Sequence, residues 1–412
     1  MYFYSVEHRL AASLLADLPF PQADVGQPEL FLLRRSEGVS RATFRVTDSR
    51  QLTAAGESVC WLDSTRIPAE VPELPQEVLS AIAAGTLTAV DLNHPRWQDA
   101  LAWIVPKPGK KRVHLLAVGD VGGTLLTALK LLGGDCISTI GICDLNEKTV
   151  ARWCTEMGQI AWPWDYDALP EVESVSNEHL FDCDVFIFAA TKAIPAVGSG
   201  IKDVRMAQFE ANRPLVENFA RQARKANFGG LFMVLSDPID PLCKAAWLAS
   251  NHDENGTWDN LGLLPEQIQG YGLGVMNARA AYFSKQDKRF SSFLTEGRSF
   301  GPHGRGLVIA NSIEHYDDAL SSELTELVET ANLRIRDLGF KPYVAPAVSS
   351  GAMQLLLTLR GAWHCSSVYL GGIWFGVRNR ITPYGVETES LSLPDPLFER
   401  LLETECVLRE II

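Results

Sequence analysis

Short apolar runs alternate with longer amphipathic segments in the middle of the chain. The apolar runs lie at residues 113–118, 137–143, 184–190 and 231–235. Segments of helix length separate them, and the longest covers residues 204–225. Strands that alternate with helices of this length are typical of βαβ units. The pattern therefore predicts a parallel sheet covered by helices.

The two ends of the chain follow other patterns. Before residue 111 there are short strand-like runs (30–34, 42–46 and 58–62), two helix-like pieces, a Pro/Glu-rich stretch (68–75) and a linker-like segment (106–112). After residue 265, helix-like segments (277–285, 317–338, 350–360 and from Pro396) mix with strand-like runs (307–311 and 366–377). We therefore expect a small α/β N-terminal extension (1–110), a doubly wound parallel α/β domain (111–262) and a mixed α+β domain (263–412).

Composition and charge narrow the function classes. The 412 residues contain 37 Lys+Arg and 50 Asp+Glu, which gives a net charge of −13. An acidic surface repels phosphate backbones, so nucleic-acid binding is not expected. The apolar and charged fractions, 46% and 21%, are those of a soluble globular protein. No run is long enough to span a membrane, and the start does not resemble a signal peptide.

The eight cysteines form no CxxC pair. We interpret them as free thiols in a reducing cytoplasm. The only adjacent His and Cys, His364 and Cys365, would point to opposite faces of a strand, so no metal site is expected.

A glycine-rich turn follows the first apolar run of the parallel sheet. Gly119 would allow the backbone to approach a pyrophosphate, and Gly122 would let the next helix pack on the strand. Val121 lies between them, at the helix N-terminus that would face the phosphates. Asp144 ends the second run, 25 residues after Gly119, where a carboxylate accepts the ribose hydroxyls of NAD and repels the 2′-phosphate of NADP.

These four residues predict an NAD site in a Rossmann-type domain. The first position of the glycine pattern is Ala117, so the motif is imperfect. The alternative is a structural turn that binds nothing.

Five further segments resemble the lactate/malate dehydrogenase family in their order and spacing. They are R-x(6)-N at 205–212, L-S-D-P-I-D at 235–240, G-Y-G-L-G-V-M-N-A-R at 270–279, G-P-H-G at 301–304 and A-x(7)-G-F at 331–340. The resemblance covers about residues 112–412 and leaves out the N-terminal extension.

The resemblance implies hydride transfer between NAD(H) and a 2-oxo or 2-hydroxy acid. His303 would carry the substrate proton, since imidazole titrates near neutral pH. Arg205 would polarise the carbonyl, and Arg279 would bind the carboxylate through its planar fork. Family members are dimers or tetramers, so a homodimer or homotetramer is expected.

The sequence departs from the family where the chemistry lies. Met276 stands where the family has the Asp that orients the histidine, and Asp237 stands where it has an Asn. Arg305 replaces the acid that usually follows His-Gly. Asp237 is therefore a candidate catalytic residue that either orients His303 or binds a substrate amine.

The loop before Arg205 is longer than expected for a lactate enzyme. The residues that would face the substrate side chain are small or apolar: Ala196, Val197, Gly198 and Ser199. No arginine stands there to bind a second carboxylate, so malate is disfavoured and a bulky 2-oxo acid is favoured.

Three functions stay open. The first is a cytoplasmic NAD-dependent oxidoreductase that acts on an atypical 2-oxo or 2-hydroxy acid. The second reduces a C=N bond, as opine-type enzymes do. The third is a non-catalytic NAD-binding sensor or scaffold.

Overall fold

The computed structural model describes residues 1–35, 41–104, 109–192 and 204–412. The chain begins with a five-stranded sheet in the order β1-β2-β3-β5-β4, whose central strands β2, β3 and β5 are parallel. Its elements are β1 (Tyr2–Val6), β2 (Arg9–Ser13), β3 (Leu30–Leu33), β4 (Thr43–Arg45), α1 (Gln76–Ala84), β5 (Thr88–Asp91) and α2 (Trp97–Ile104).

A Rossmann-type unit of six parallel strands follows, in the order β8-β7-β6-β9-β10-β11. Its elements are β6 (Lys111–Leu116), α3 (Asp120–Leu132), β7 (Ile137–Cys143), α4 (Glu147–Gly158), β8 (Glu171–Ser174), β9 (Val185–Phe188), α5 (Val204–Lys225), β10 (Leu231–Val234), α6 (Ile239–Ser250) and β11 (Ile268–Gly270). The strand order reverses between β6 and β9, and such a switch point is where ligands bind in open α/β sheets.

The remaining chain extends the same sheet and adds helices beside it. Its elements are α7 (Leu273–Gln286), α8 (Phe293–Glu296), β12 (Arg298–Phe300), β13 (Val308–Ala310), α9 (Asp318–Asp337), α10 (Met353–Leu359), β14 (His364–Leu370), β15 (Ile373–Thr382), β16 (Gly385–Thr388) and α11 (Asp395–Ile411). Strands β14, β15 and β16 continue the sheet antiparallel from β11. One nine-stranded sheet therefore runs across residue 262, and the boundary placed there stays a prediction.

The N-terminal sheet shares a core with the end of the chain. Phe31 and Phe44 from that sheet are buried together with Phe375 of β15 and Leu397 of α11. The Thr43 backbone N–H and hydroxyl both donate to the buried Glu266 carboxylate, at 3.0 and 3.2 Å. The extension is thus packed into the molecule along a continuous apolar seam.

Most of the expected α/β pattern is present, with local differences. The strand at 137–143 and the helix at 204–225 have the expected bounds. The strand expected at 58–62 is wrong: Ser58 caps the Cys60 N–H, and Val59–Leu62 forms a 3₁₀ turn. The run at 366–377 is a hairpin, because Gly371 and Gly372 have φ of +60° and +92° and allow the turn between β14 and β15.

Two further expectations concern the cysteines and membrane-spanning helices. All eight cysteines, each within the described ranges, are free thiols; Cys243 is buried and Cys406 is exposed. Among the described residues, no helix is both long and apolar enough to cross a bilayer.

Candidate active site

The turn between β6 and α3 forms the first part of the site. Gly119 is the N-cap of α3, and no side chain caps the helix there. A Cβ on Gly122 would lie 2.0 Å from the Ala117 carbonyl oxygen, so only glycine lets the helix approach the strand this closely. Val121 lies in the first turn of α3. Ala117 has φ of +73°, a left-handed conformation that glycine adopts more easily.

Asp144 lies where the sequence placed the ribose-binding acid, just after β7. Its Oδ2 accepts a hydrogen bond from the Val118 N–H at 3.0 Å, and its Oδ1 accepts one from the Asn146 N–H at 3.1 Å. These bonds hold the carboxylate beside the turn. Each oxygen keeps one lone pair for a further donor.

Trp153 on α4 supports the turn from the side. Its Nε1–H donates to the Val118 carbonyl at 3.2 Å. A Cβ on Gly123 would lie 2.3 Å from the Trp153 ring, so the second glycine of the Gly122–Gly123 pair makes room for it. The contact between Gly123 and Trp153 was not predicted from the sequence, although the two adjacent glycines were a visible signal.

A cavity of about 390 Å³ adjoins the turn. It is lined by Val118, Gly119, Asp120, Gly123, Thr124, Thr127, Arg152, Trp153 and Tyr343. The uncapped start of α3 offers N–H groups and the positive end of a helix dipole, which suit a phosphate group. Together with the Asp144 carboxylate, these features fit the pyrophosphate and ribose of a dinucleotide.

The second part of the site is a glycine-rich loop that carries His303. Gly301 and Gly304 have φ of +82° and +152°, so the loop depends on glycine on both sides of the histidine. A Cβ on Gly272 would lie 2.6 Å from the His303 Cβ, which shows how closely α7 begins beside the loop. The His303 N–H donates to Asp240 Oδ2 at 3.2 Å, and this bond ties the loop to α6.

Asp237 and His303 form a hydrogen-bonded pair. Asp237 Oδ1 lies 2.8 Å from His303 Nδ1. The Asp237 side chain is 44% exposed and that of His303 is 13% exposed, so the pair lines an open cleft. Burial among protein atoms opposes ionisation of Asp237, but His303 and the arginines Arg205 and Arg279 hold its pKa below the usual value.

Arg205 lies beside the histidine loop. It is near the start of α5, and its Nη1 donates to the His303 carbonyl oxygen. A Cβ on Gly304 would overlap the Arg205 guanidinium, so glycine at 304 also admits this side chain.

Arg279 on α7 reaches the same region from the other side. Its Nη1 contacts the Val328 carbonyl of α9 at 3.4 Å and the Met276 sulfur at 3.6 Å. Burial lowers its pKa, while Asp237 acts in the opposite direction. Within the described ranges Arg279 forms no ion pair, so a half-buried guanidinium lies ready for an anion.

Three polar residues of this region were given no role from the sequence, although Asn212 and Asp240 end two of the quoted motifs. Asp240 accepts from His303 and Ser367, and burial raises its pKa to about 6. Asn212 is fully buried and bridges two loops, donating to the Asp237 carbonyl at 2.8 Å and accepting from the Lys192 N–H at 2.9 Å. Glu329 on α9 lies within the electrostatic reach of Arg205.

The departures from the family pattern have clear places in the structure. Met276 is buried beside Arg279, Asn277 accepts from Ser299, and Arg305 is exposed. The carboxylate partner of His303 therefore comes from the end of β10 and not from α7. The loop residues Ala196, Val197, Gly198 and Ser199 lie outside the described residues.

Comparisons with known proteins found relatives of low sequence identity. No family model matches the chain. A malate dehydrogenase from Aliarcobacter butzleri is 23% identical over 282 residues, which are 63% of this chain and 81% of that protein. An L-lactate dehydrogenase from Corynebacterium jeikeium is 22% identical over 244 residues, 57% of this chain and 68% of that protein.

Solved structures share the fold. A minor L-lactate dehydrogenase from Enterococcus mundtii superposes with a TM-score of 0.58 at 19% identity, covering 73% of this chain and 97% of that one. The malate dehydrogenase from Archaeoglobus fulgidus in complex with NADH gives 0.57 at 15% identity, covering 73% and 98%. The chain is therefore similar in sequence to lactate and malate dehydrogenases at low identity, and it shares their fold.

Proposed function

We propose that the protein is an NAD-dependent oxidoreductase that interconverts an atypical, bulky 2-oxo acid and the corresponding 2-hydroxy acid. The observation that carries this proposal is the grouping of the Asp237–His303 pair with Arg205 and Arg279. It supplies a proton carrier, a charge for the carbonyl oxygen and an anchor for a carboxylate.

The cofactor would lie across the carboxyl edge of the sheet. Gly119, Val121 and Gly122 would receive its pyrophosphate and Asp144 its adenosine ribose. When bound, NADH supplies the hydride. The Asp144 carboxylate supports NAD over NADP, because it would repel a 2′-phosphate.

Each residue of the substrate site would have one task during reduction. Arg279 binds the substrate carboxylate, and Arg205 stabilises the negative charge that grows on the carbonyl oxygen. The His303 imidazolium donates the proton, and Asp237 stabilises that imidazolium through the 2.8 Å contact at Nδ1. The product of the reduction is the 2-hydroxy acid. We further propose that the protein is a cytoplasmic homodimer or homotetramer.

The position of Asp237 also favours a second function, the reduction of a C=N bond. Its Oδ2 accepts no hydrogen bond within the described ranges, and the side chain is 44% exposed. An acid in this position could bind the protonated nitrogen of an imine between a 2-oxo acid and an amine. The reaction would then be C=N reduction on the same fold.

The test is a screen of 2-oxo acids with and without amines, followed through the absorbance of NADH. Turnover with bulky 2-oxo acids alone is expected, and His303→Asn should abolish it while NADH binding stays near the wild-type value. Turnover only in the presence of an amine would support the C=N reductase. NADH binding without any turnover would support a sensor or scaffold, and a preference for NADPH would contradict the cofactor assignment.

A further inference from the structure

The backbone of His303 is held by two side chains of opposite charge. Its N–H donates to Asp240 Oδ2 at 3.2 Å, and its carbonyl oxygen accepts from Arg205 Nη1. Asp240 lies in the first turn of α6, and Arg205 lies near the start of α5. The His303 ring contacts Asp237 at 2.8 Å. The direction of the imidazole therefore depends on three elements that converge on this one residue.

Asp240 accepts one hydrogen bond at each carboxylate oxygen. The Ser367 hydroxyl of β14 donates to Oδ1, while Oδ2 accepts from the His303 N–H. An ionised carboxylate accepts at both oxygens, whereas a protonated acid or an amide offers one carbonyl oxygen and one donor group. The ionised form of Asp240 thus links the His303 loop to α6 and β14 at the same time.

The surroundings of this carboxylate do not favour its charge. Asp240 is only 3% exposed, and no lysine or arginine of the described ranges stabilises it. Burial raises the pKa of the carboxyl to about 6, although the hydrogen bonds from Ser367 and His303 act against the rise. Acids perturbed in this way cluster at functional sites.

We propose that Asp240 is a positioning residue whose carboxylate fixes the backbone of His303, and with it the direction of the imidazole toward Asp237 and the substrate. A hydrogen bond to a charged group is about twice as strong as a neutral one. The ionised carboxylate therefore holds the loop more tightly than the protonated acid does. The inference rests on the proposed function and adds a pH-dependent control to that same site.

Among the described residues, two further titratable groups face Asp240. They are His303 in the loop and Cys243 on α6. Burial raises the pKa of the Cys243 thiol well above its usual value, so this thiol stays neutral. Because His303 is present in both proteins, a comparison of wild type with a variant that lacks only the Asp240 charge isolates the effect of Asp240.

The test is Asp240→Asn, with kcat measured at pH 5 and at pH 8 with NADH and 4-methyl-2-oxopentanoate. The amide is neutral at both pH values and resembles the protonated form of Asp240. The ratio of wild-type kcat to variant kcat should be near one at pH 5 and about fivefold or more at pH 8. The same ratio at both pH values would indicate a merely structural role and would overturn the inference.

Stability should change in the opposite direction to turnover. The pKa of Asp240 is raised from 3.8 to about 6 in the folded protein, so wild type loses stability as pH rises through this range. Asp240→Asn has no such loss, and its melting temperature should rise relative to wild type between pH 5 and pH 8. If the variant instead loses melting temperature and turnover together, the change has only damaged the packing and the inference fails.

Two further variants sharpen the comparison. Glu266→Gln removes another buried acid that lies outside the site, and it should leave kcat unchanged at both pH values. Ser367→Ala removes the donor to Asp240 Oδ1, so the carboxylate ionises less readily and the pH-dependent change in kcat should move to higher pH. An unmoved profile in Ser367→Ala would contradict the role of the Asp240 carboxylate.

Hydrogen exchange keeps this inference distinct from the proposed function. Exchange of the His303 backbone amide is followed by nuclear magnetic resonance in wild type and Asp240→Asn without substrate. It should be about fivefold faster in the variant at pH 8 and equal in the two proteins at pH 5. If no acid is turned over, the proposed function fails, and equal exchange at both pH values would still overturn the role of Asp240.

Discussion

At the scale of single residues, the carboxylate beside the histidine comes from the end of a strand and not from a helix. Asp237 contacts His303 Nδ1 from the end of β10, while Met276 occupies the family position on α7. The position of an acid in the sequence matters less than its contact with the ring. An imidazolium needs one negative neighbour, and β10 can supply it.

Asp237→Asn tests whether this acid supports proton transfer. The amide would restore the residue usual in the family, but it would remove the negative charge that stabilises the imidazolium. We expect kcat to fall by about a hundredfold or more, with NADH affinity nearly unchanged. If simple 2-oxo acids keep their turnover and only amine-dependent reduction is lost, Asp237 binds the substrate nitrogen instead.

The glycine at position 122 permits a second residue-scale prediction. In Gly122→Ala the new Cβ would meet the Ala117 carbonyl oxygen at 2.0 Å, so the turn must shift. We expect a loss of about 1–3 kcal/mol in the free energy of unfolding and weaker NADH binding, measured by denaturation and by NADH fluorescence. Gly158→Ala is the matched control, because a Cβ there meets no atom within 4 Å.

At the scale of elements, the contact between β4 and the turn before β11 contains a buried acid. Glu266 accepts two hydrogen bonds from Thr43 through Oε1, whereas its Oε2 accepts none from the described residues. Burial raises its pKa from 4.5 to about 7, although the positive charge of Arg41 acts against the rise. The folded state therefore holds this proton more tightly than the unfolded chain.

This contact makes the stability of the protein depend on pH. Wild-type stability should fall as pH rises from about 4.5 to about 7, by on the order of 3 kcal/mol. Glu266→Gln keeps an oxygen for Thr43 and cannot ionise. Its melting temperature should match the wild type at pH 5 and exceed it by a few degrees at pH 8. An equal difference at both pH values would show that Glu266 does not titrate in this range.

Individual elements also show what the sequence could predict. The central parallel strands β9 and β10 are buried on both faces, so runs such as Val185–Phe188 stand out as continuous apolar segments. Strand β11 (Ile268–Gly270) has no such run, since it contains Gln269 and Gly270 and pairs between β10 and β14. Its strand character comes from its neighbours and cannot be read locally.

The site was partly predictable for a similar reason. Ordered motifs pointed to His303, Arg205 and Arg279, and the substitution at Asp237 drew attention to that acid. The packing of α9 beside Arg279 depends on a contact between Arg279 and the Val328 carbonyl, over a separation of 49 residues. No local pattern records such a contact.

At the scale of the whole molecule, the N-terminal extension covers an apolar face. Phe31 and Phe44 pack with Val368, Phe375 and Leu397 of the distant end of the chain. Removing residues 1–110 would expose this face, and large exposed apolar patches lead to association. We expect the truncated chain to be insoluble or aggregated by size-exclusion chromatography. A soluble, monodisperse fragment that binds NADH would contradict a shared core.

The seam between the first sheet and α11 also has a consequence for biosynthesis. The core that contains Phe44 also includes Leu397, Leu401 and Leu408, which are translated more than 350 residues after Phe44. At roughly 5–20 residues per second, the first sheet must wait many seconds on the ribosome before its core can close. The nascent chain thus carries an unfinished apolar surface until these leucines have left the ribosome.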